Sequence, residues 1–321
     1  MVILLQWQLS LITALQNLGG LAGLMKLFSL LGEEQFFLLL MPLVYWCLDA
    51  GVGGELAVVL LSSNWLAFSL KLAFHTPRPY WLGMVRGLAT ETSHGLPSGH
   101  AQNATAIWLY LAYAIRKRWA WAAAIALALL ISLSRLYLGV HFLTDVIGGW
   151  IIGGVFLALF IWLEPKVSRW LGRLPLWAQV GTAVIASLIA ALLPVALRGS
   201  IAAVADPAEW ASFAQDARSL EGAFTVAGAL LGVGVGLAMA ARWARFSAGG
   251  PVVQRVIRFV VGFIGVLILW LGLKAVFPAQ PEALALIFRY IRYALVTWWA
   301  IFLAPWVFLK TRLADPANRS A

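Results

Sequence analysis

Charge is what this chain has least of. Only 11% of its 321 residues are Asp, Glu, Lys or Arg, while 62% are hydrophobic. Soluble domains carry about a quarter charged residues, so that class is excluded. Cysteine is almost absent as well. The single Cys47 excludes an internal disulfide and any cysteine metal cage. The N-terminus lacks a basic n-region and a small-residue cleavage site, so no cleavable signal peptide is expected. Acidic residues are the scarcer sign, 13 against 23 basic ones, for a net charge of +10. In a soluble protein that balance would suggest a nucleic-acid partner. Here the basic residues sit in loops between apolar runs, where membrane orientation explains them, and no nucleic acid is expected.

Apolar runs of about 20 residues recur along the chain, each long enough to cross a bilayer as a helix. The pattern predicts an all-α, polytopic transmembrane helical bundle. Nine spans are expected, at about 35–50, 56–74, 97–115, 119–138, 141–163, 174–197, 222–241, 256–277 and 283–309. Ahead of them, Gln6, Ser10, Thr13 and Asn17 recur at helical spacing, which predicts an amphipathic helix lying at the membrane interface. The expected organisation is an interfacial region at 1–31, a core at 32–165 and additional C-terminal spans at 166–321.

Loop charge orients these spans. Arg116, Lys117 and Arg118 follow the third span, and Lys166, Arg169 and Arg173 the fifth. Arg242, Arg245, Arg255 and Arg258 follow the seventh, and Lys310, Arg312 and Arg319 the ninth. With alternating spans all four groups share one side, which the positive-inside rule makes cytoplasmic. The turn with Asp49 and Glu55 on that side has no basic residue, but acidic residues weigh little in the rule. Arg289 and Arg292 near the outer start of the last span read as an interfacial anchor pair.

Three polar clusters interrupt the apolar background at the opposite, extracytoplasmic level. "KLAFHTPRP" holds Lys71, Arg78 and Pro79. "LPSGHAQNA" holds Pro97, Ser98, Gly99 and His100. "SRLYLGVHFLTD" holds Ser134, Arg135, His141 and Asp145. Taken singly, each has an ordinary explanation: a span-end lysine snorkels, a proline starts a helix, a histidine packs. His75 and His94 read as plain loop residues. Together, three cations and two histidines meet at one depth with only Asp145 as a nearby carboxylate, which points to an anion site. Arginine matches phosphoryl oxygens in bidentate fashion. The start of the third span adds free backbone N–H groups, and Gly99 admits an oxyanion close to the backbone. His141 and Asp145, four residues apart, share a helical face, so the carboxylate can orient the imidazole. With His100 as a second imidazole, one histidine can attack phosphorus while the other protonates the leaving oxygen.

These clusters closely resemble the type 2 phosphatidic acid phosphatase/haloperoxidase superfamily. Its signature is Lys, six residues, Arg-Pro; then Pro-Ser-Gly-His; then Ser-Arg, five residues, His, three residues, Asp. The chain matches each position over about residues 56–163. The stretch "LGEEQFFLLLMPLVYW" is similar to the sphingosine-phosphate phosphatase type, and "RPYW" to glucose-6-phosphatase relatives. The resemblance implies that His141 is the nucleophile, Asp145 its orienter and His100 the acid and later base. It implies phosphate binding by Lys71, Arg78, Ser98, Gly99 and Arg135, without a metal or other cofactor. The expected activity is hydrolysis of a lipid phosphate or diphosphate in the bilayer: polyprenyl diphosphate, phosphatidic acid, phosphatidylglycerol phosphate or a sphingoid-base phosphate. The expected location is the plasma (inner) membrane, with an extracytoplasmic site. A phosphatase of small soluble esters and a transporter or scramblase retaining the motif are the rival readings. Vanadium-dependent halide oxidation is disfavoured by the spans.

Overall fold

Glycine and proline cut the apolar sequence into helices, and small residues decide where those helices meet. The computed structural model describes residues 2–317. In chain order the helices are α1 (Val2–Asn17), α2 (Ala22–Leu30), α3 (Glu34–Leu43), α4 (Ala50–Phe74), α5 (Gly99–Ile115), α6 (Arg118–Tyr137) and α7 (Leu143–Arg173). They continue with α8 (Leu176–Ser200), α9 (Ala211–Ala217), α10 (Glu221–Trp243), α11 (Val252–Val276), α12 (Glu282–Trp298) and α13 (Ala304–Lys310). Among the described residues there is no strand beyond one isolated bridge, Phe246 with Pro316. The expected all-α membrane bundle is what the chain forms.

The span count is lower than the hydropathy pattern predicts. Among the described residues, seven helices are long and apolar enough to cross a membrane, or up to eight if one bent pair counts as a span. The expected segment 35–50 is short, because Pro42 lies inside α3 and a π-helical turn follows at Val44–Leu48. The expected segment 97–115 is the 17-residue α5, whose buried residues include Gln102, Asn103 and Thr105. The N-terminus differs too. The expected helix over 1–17 is present as α1, and a second helix follows it, so that Leu5–Asn17 and Ala22–Leu30 form a pair bent by 112°. The break falls at Gly19-Gly20, where Gly20 takes φ +82. Gln6, Ser10, Thr13 and Asn17 share an exposed face as expected, but Gln8 and Gln16 are buried. Gln16 donates to the carbonyls of Arg86 and Tyr137, and Gln8 accepts from Thr144, so α1 is tied to neighbouring segments rather than lying free.

The chain forms two compact units, each assembled from three segments. The first comprises Met1–Phe37, Leu66–Phe160 and Leu193–Ser219; the second comprises Leu38–Trp65, Ile161–Leu192 and Leu220–Ala321. In the first unit, α5 and α7 touch through glycine. A Cβ on Gly149 would lie 2.7 Å from the Ser98 carbonyl oxygen, and one on Gly153 would lie 2.6 Å from that of Gln102. This close approach sets the start of α7 against the start of α5.

In the second unit, α10 uses Gly228, Gly232 and Gly236 to seat on α12 and the π-helical turn Trp299–Leu303. Such four-residue spacing of small residues is how helices associate where lipid supplies no hydrophobic drive. Trp46 donates to the Ala300 carbonyl at 2.8 Å and packs on Gly262. Two basic residues of this unit depart from expectation. Arg258 is fully buried, donating to the carbonyls of Ser247, Ala248 and Gly249, so it closes a loop rather than facing the cytoplasm. The Arg289–Arg292 pair splits: Arg289 pairs with Glu221, whereas Arg292 is buried beside the Tyr293 ring, so it is no interfacial anchor. Arg116, Lys117, Arg118, Lys166, Arg169 and Arg173 are all exposed, but only Arg116 and Lys117 lie in a turn: Arg118 begins α6, and Lys166, Arg169 and Arg173 lie on the end of α7, which runs past the expected end of that span; Arg319 lies outside the described residues.

Gly149 and Gly154 on α7 give a paired test, because nothing lies within 4 Å of a Cβ at Gly154. Gly149→Val is expected to lower stability by about 1–3 kcal/mol through overpacking. Gly154→Val is expected to change it by less than about 0.5 kcal/mol, as substitutions without a packing conflict do. Unfolding in detergent, followed by helical circular dichroism, reads both.

Candidate active site

All three polar clusters lie in the first unit, and each is placed by a local break in helix. Lys71 occupies the last turn of α4. Arg78 precedes a 3-10 turn, Pro79–Leu82, that Pro79 initiates. Ser98 caps α5, its hydroxyl accepting from the Ala101 N–H at 3.5 Å. Arg135 lies in the last turn of α6, and Asp145 in the first turn of α7. Between them Gly139 takes φ +72, and a Cβ there would stand 2.3 Å from the Arg86 carbonyl oxygen. Only glycine serves at such a position, and the reversal it allows brings His141 back beside Arg78.

Arg78 has no exposed surface, and all three of its guanidinium nitrogens are engaged. Its Nε donates to the Ser93 carbonyl at 2.5 Å. Nη1 donates to the Val140 carbonyl at 2.8 Å and faces His141 Nε2 at 3.0 Å. Nη2 donates to Ser93 Oγ at 3.0 Å and the His94 carbonyl at 3.2 Å. Lys71 Nζ donates to the same His94 carbonyl at 2.7 Å and to Ser93 Oγ at 3.2 Å. A Cβ on Gly99 would stand 3.7 Å from the Lys71 side chain, so the α5 N-terminus borders this cation.

The histidine geometry fixes a tautomer. His141 Nδ1 lies 3.3 Å from Asp145 Oδ2, and the same oxygen accepts the Phe142 N–H at 3.0 Å. A carboxylate can only accept, so Nδ1 carries the proton. Nε2 then presents its lone pair to Arg78, a donor without acceptor capacity. The Asp145 carbonyl in turn accepts the Ser98 N–H at 2.9 Å, tying the third cluster to the second. His100 is the other imidazole of the site; its Nε2 is buried without a hydrogen-bond partner among the described residues.

A model of the PAP2 superfamily matches residues 53–169, which include every one of these side chains. A second, the PAP2 superfamily phosphatase transmembrane extension, matches residues 224–316. The chain carries a PAP2 superfamily domain with its transmembrane extension. Phosphatidylglycerophosphatase B of Bacillus subtilis (strain 168) is 28% identical over 182 residues, covering 51% of this chain and 78% of that protein. Sphingosine-1-phosphate phosphatase 2 of Mus musculus is 30% identical over 42% of this chain and 40% of its own length. A probable sphingosine-1-phosphate phosphatase of Dictyostelium discoideum is 34% identical over 40% and 34%. The chain thus spans less than half of the length of these two sphingosine-1-phosphate phosphatases. A crystal structure of a transmembrane PAP2 type phosphatidylglycerolphosphate phosphatase from Bacillus subtilis is 26% identical, covering 50% of this chain and 86% of that one, with a TM-score of 0.44. With these matches and its apolar helices, the protein is a multi-pass membrane protein that carries a PAP2 superfamily domain.

Three participants in the PAP2 domain site lie outside the signature. Ser29 of α2 accepts from Arg135 Nη1 at 2.5 Å and donates to Glu33 at 3.3 Å. Ser93 receives both Lys71 and Arg78. Glu91 pairs with Arg135 and lies 3.6 Å from Arg78. Burial pushes the Glu91 carboxyl up, but Arg78 and Arg135 outweigh it and hold the group well below the usual carboxylate range. The only sequence signal for Glu91 was a lone carboxylate between two cationic motifs. His75 and His94 are more than plain loop residues. His75 pairs with Asp206 at 2.6 Å. The His94 ring is fully buried beside His75, Trp81 and Trp210, and burial, then His75 and Lys71, push it down to about 3.

Arg135→Lys separates charge from shape at this site, since lysine keeps the charge and loses the planar fork. Inorganic phosphate is expected to bind about tenfold or more weakly to the variant, measured as phosphate-dependent stabilisation against thermal unfolding. A charged hydrogen bond of about 1.5–3 kcal/mol sets that scale.

Proposed function

We propose that the chain hydrolyses a lipid phosphate or diphosphate through a phosphohistidine at His141. The observation that carries this reading is His141 itself: Nδ1 on Asp145, with the Nε2 lone pair turned toward the guanidinium of Arg78. A phosphoryl group seated on Lys71, Arg78 and Arg135, with the α5 N-terminus and its Ser98–Gly99 segment alongside, exposes phosphorus to that lone pair. The Nε2–P bond forms as the bond to the leaving oxygen breaks, and protonated His100 gives its proton to that oxygen. Asp145 steadies the positive charge that His141 gains. Water then attacks phosphorus, His100 takes its proton, and the P–N bond breaks to release inorganic phosphate. Lysine and arginines neutralise the phosphoryl oxygens, the task metal ions perform in other phosphatases, so the reaction requires no divalent cation.

Lipid is the preferred substrate class because the site belongs to a multi-pass membrane chain and the relatives above are named for lipid phosphates. Polyprenyl diphosphate, phosphatidic acid, phosphatidylglycerol phosphate and sphingoid-base phosphates are the candidates. Loop charge supports a pocket on the extracytoplasmic side of the plasma membrane, where dephosphorylation would return a spent lipid carrier to use.

Phosphate release by purified protein across these lipids and a sugar phosphate, with chelator present, tests the chemistry. His141→Asn is expected to abolish turnover, and His100→Asn to lower kcat by about 10² to 10⁴-fold. Asp145→Asn is expected to act in the same direction, less severely. Turnover by His141→Asn, or activity that needs added magnesium, contradicts the mechanism. Faster turnover of the sugar phosphate moves the substrate class to soluble esters.

Orientation has its own test. In a Cys47→Ala background, Lys117→Cys and Ala208→Cys are treated with an impermeant thiol reagent on intact cells. Position 208 is expected to label, and position 117 only after the membrane is opened. The reverse pattern places the pocket in the cytoplasm.

A further inference from the structure

Glu91 is a carboxylate set among the site's cations that the mechanism does not use. Its carboxylate bonds Arg135 through one oxygen, while the other lies 3.6 Å from Arg78. These are the two guanidinium groups assigned to the phosphoryl oxygens. Lys71 and His100 are also among its electrostatic neighbours. The backbone is pinned by Tyr80, whose hydroxyl donates to the Glu91 carbonyl at 3.0 Å and accepts the Glu91 N–H at 3.1 Å. The side chain keeps 24% of its surface exposed, in contrast to 0% for Arg78 and 2% for Arg135. An ionised carboxylate thus occupies the anion seat from a loop, with an open side toward which it can withdraw.

Charge counting gives this arrangement a purpose. Lys71, Arg78 and Arg135 bring three positive charges; Glu91 and Asp145 bring two negative ones, with Glu33 one hydrogen bond further out through Ser29. An incoming anion must take the guanidinium groups from Glu91. A monoanion exchanges one negative charge for another and gains little. A dianion brings a second charge to the same donors and wins the exchange. In a bilayer this distinction matters, because phosphodiester headgroups carry one phosphate charge and vastly outnumber monoesters, which carry close to two near neutral pH. A cradle of three free cations would be filled by the bulk lipid.

We propose that Glu91 is a resident competitor for the phosphoryl seat, and that its charge makes the seat select dianionic phosphate monoesters over monoanionic diesters. This rests on the reading of Lys71, Arg78 and Arg135 as a phosphate cradle.

The test compares two soluble probes of similar shape, inorganic phosphate at pH 8 and dimethyl phosphate, which differ by one charge. Affinity is read as stabilisation of the purified full-length protein against thermal unfolding, so turnover is not needed. The wild type is expected to favour inorganic phosphate at least tenfold. Glu91→Gln, which keeps the shape and removes the charge, is expected to bind dimethyl phosphate at least tenfold more tightly than the wild type and to narrow the preference. Tyr80→Phe leaves every cradle charge in place and loosens the Glu91 backbone; it is expected to tighten both anions, and it decides the matter if Glu91→Gln does not fold. Weaker binding of both anions in Glu91→Gln, or unchanged dimethyl phosphate binding in either variant, overturns the proposal and leaves Glu91 as a structural partner of the arginines. If no protein binds inorganic phosphate, the cradle reading itself fails, and the proposal with it.

Discussion

The site depends on the burial of one guanidinium. Arg78 has no surface in contact with solvent, and a charge so placed is tolerated only when its donors are used. All three nitrogens are engaged: Nε with Ser93, Nη1 with Val140 and His141, Nη2 with Ser93 and His94. Those acceptors belong to the loop before α5 and to the turn between α6 and α7. One side chain therefore holds together pieces of chain more than 60 residues apart. A lysine could not do this, because a compact ammonium cannot reach acceptors spread across a fork. Lys71 plays the narrower part, binding the His94 carbonyl that Arg78 also holds.

The rest of the chain obeys the same scarcity of polar contacts. With so few charges, helices are joined by close backbone approach more than by ion pairs. Gly149 and Gly153 seat α7 on α5, and Gly228, Gly232 and Gly236 seat α10 on α12. The consequence for the site is geometric. The α7–α5 approach brings the Asp145 backbone carbonyl within reach of the Ser98 N–H, so the residue whose carboxylate faces His141 is tied through its main chain to the cap of the neighbouring helix.

Much of the site was legible in the sequence, because Lys71, Arg78, His100, Arg135, His141 and Asp145 stand out against leucine and valine. Their spacing announced the PAP2 pattern. The helical class was equally plain. What escaped notice lacked contrast. Glu91 and Ser93 lie in a polar loop, where a carboxylate or a hydroxyl is ordinary. Ser29 lies 106 residues from Arg135, a pairing no local pattern encodes. Arg292 and Arg258 looked like membrane-edge cations, since sequence alone does not tell an arginine that reaches water from one that bonds carbonyls or lies against a ring. The helix over 1–17 was legible from its polar spacing, whereas the second helix bent away beyond Gly20 was not, because the bend depends on backbone geometry rather than on hydropathy. Nor did periodicity show that Gln8 and Gln16 face inward while the rest of the polar face of α1 faces out.

The contact between Arg78 and His141 also bears on restraint. An imidazole with an oriented, proton-free nitrogen is reactive toward many electrophiles and toward stray metal ions. Here that nitrogen already accepts a hydrogen bond from a cation. The same guanidinium is the group a phosphoryl oxygen would claim. On the proposed mechanism, a phosphoryl group that claimed this donor would free the lone pair as it bound. In that proposal the reactive atom is masked by its own substrate receptor and unmasked by the substrate, so chemical potency and chemical discretion would share a single side chain.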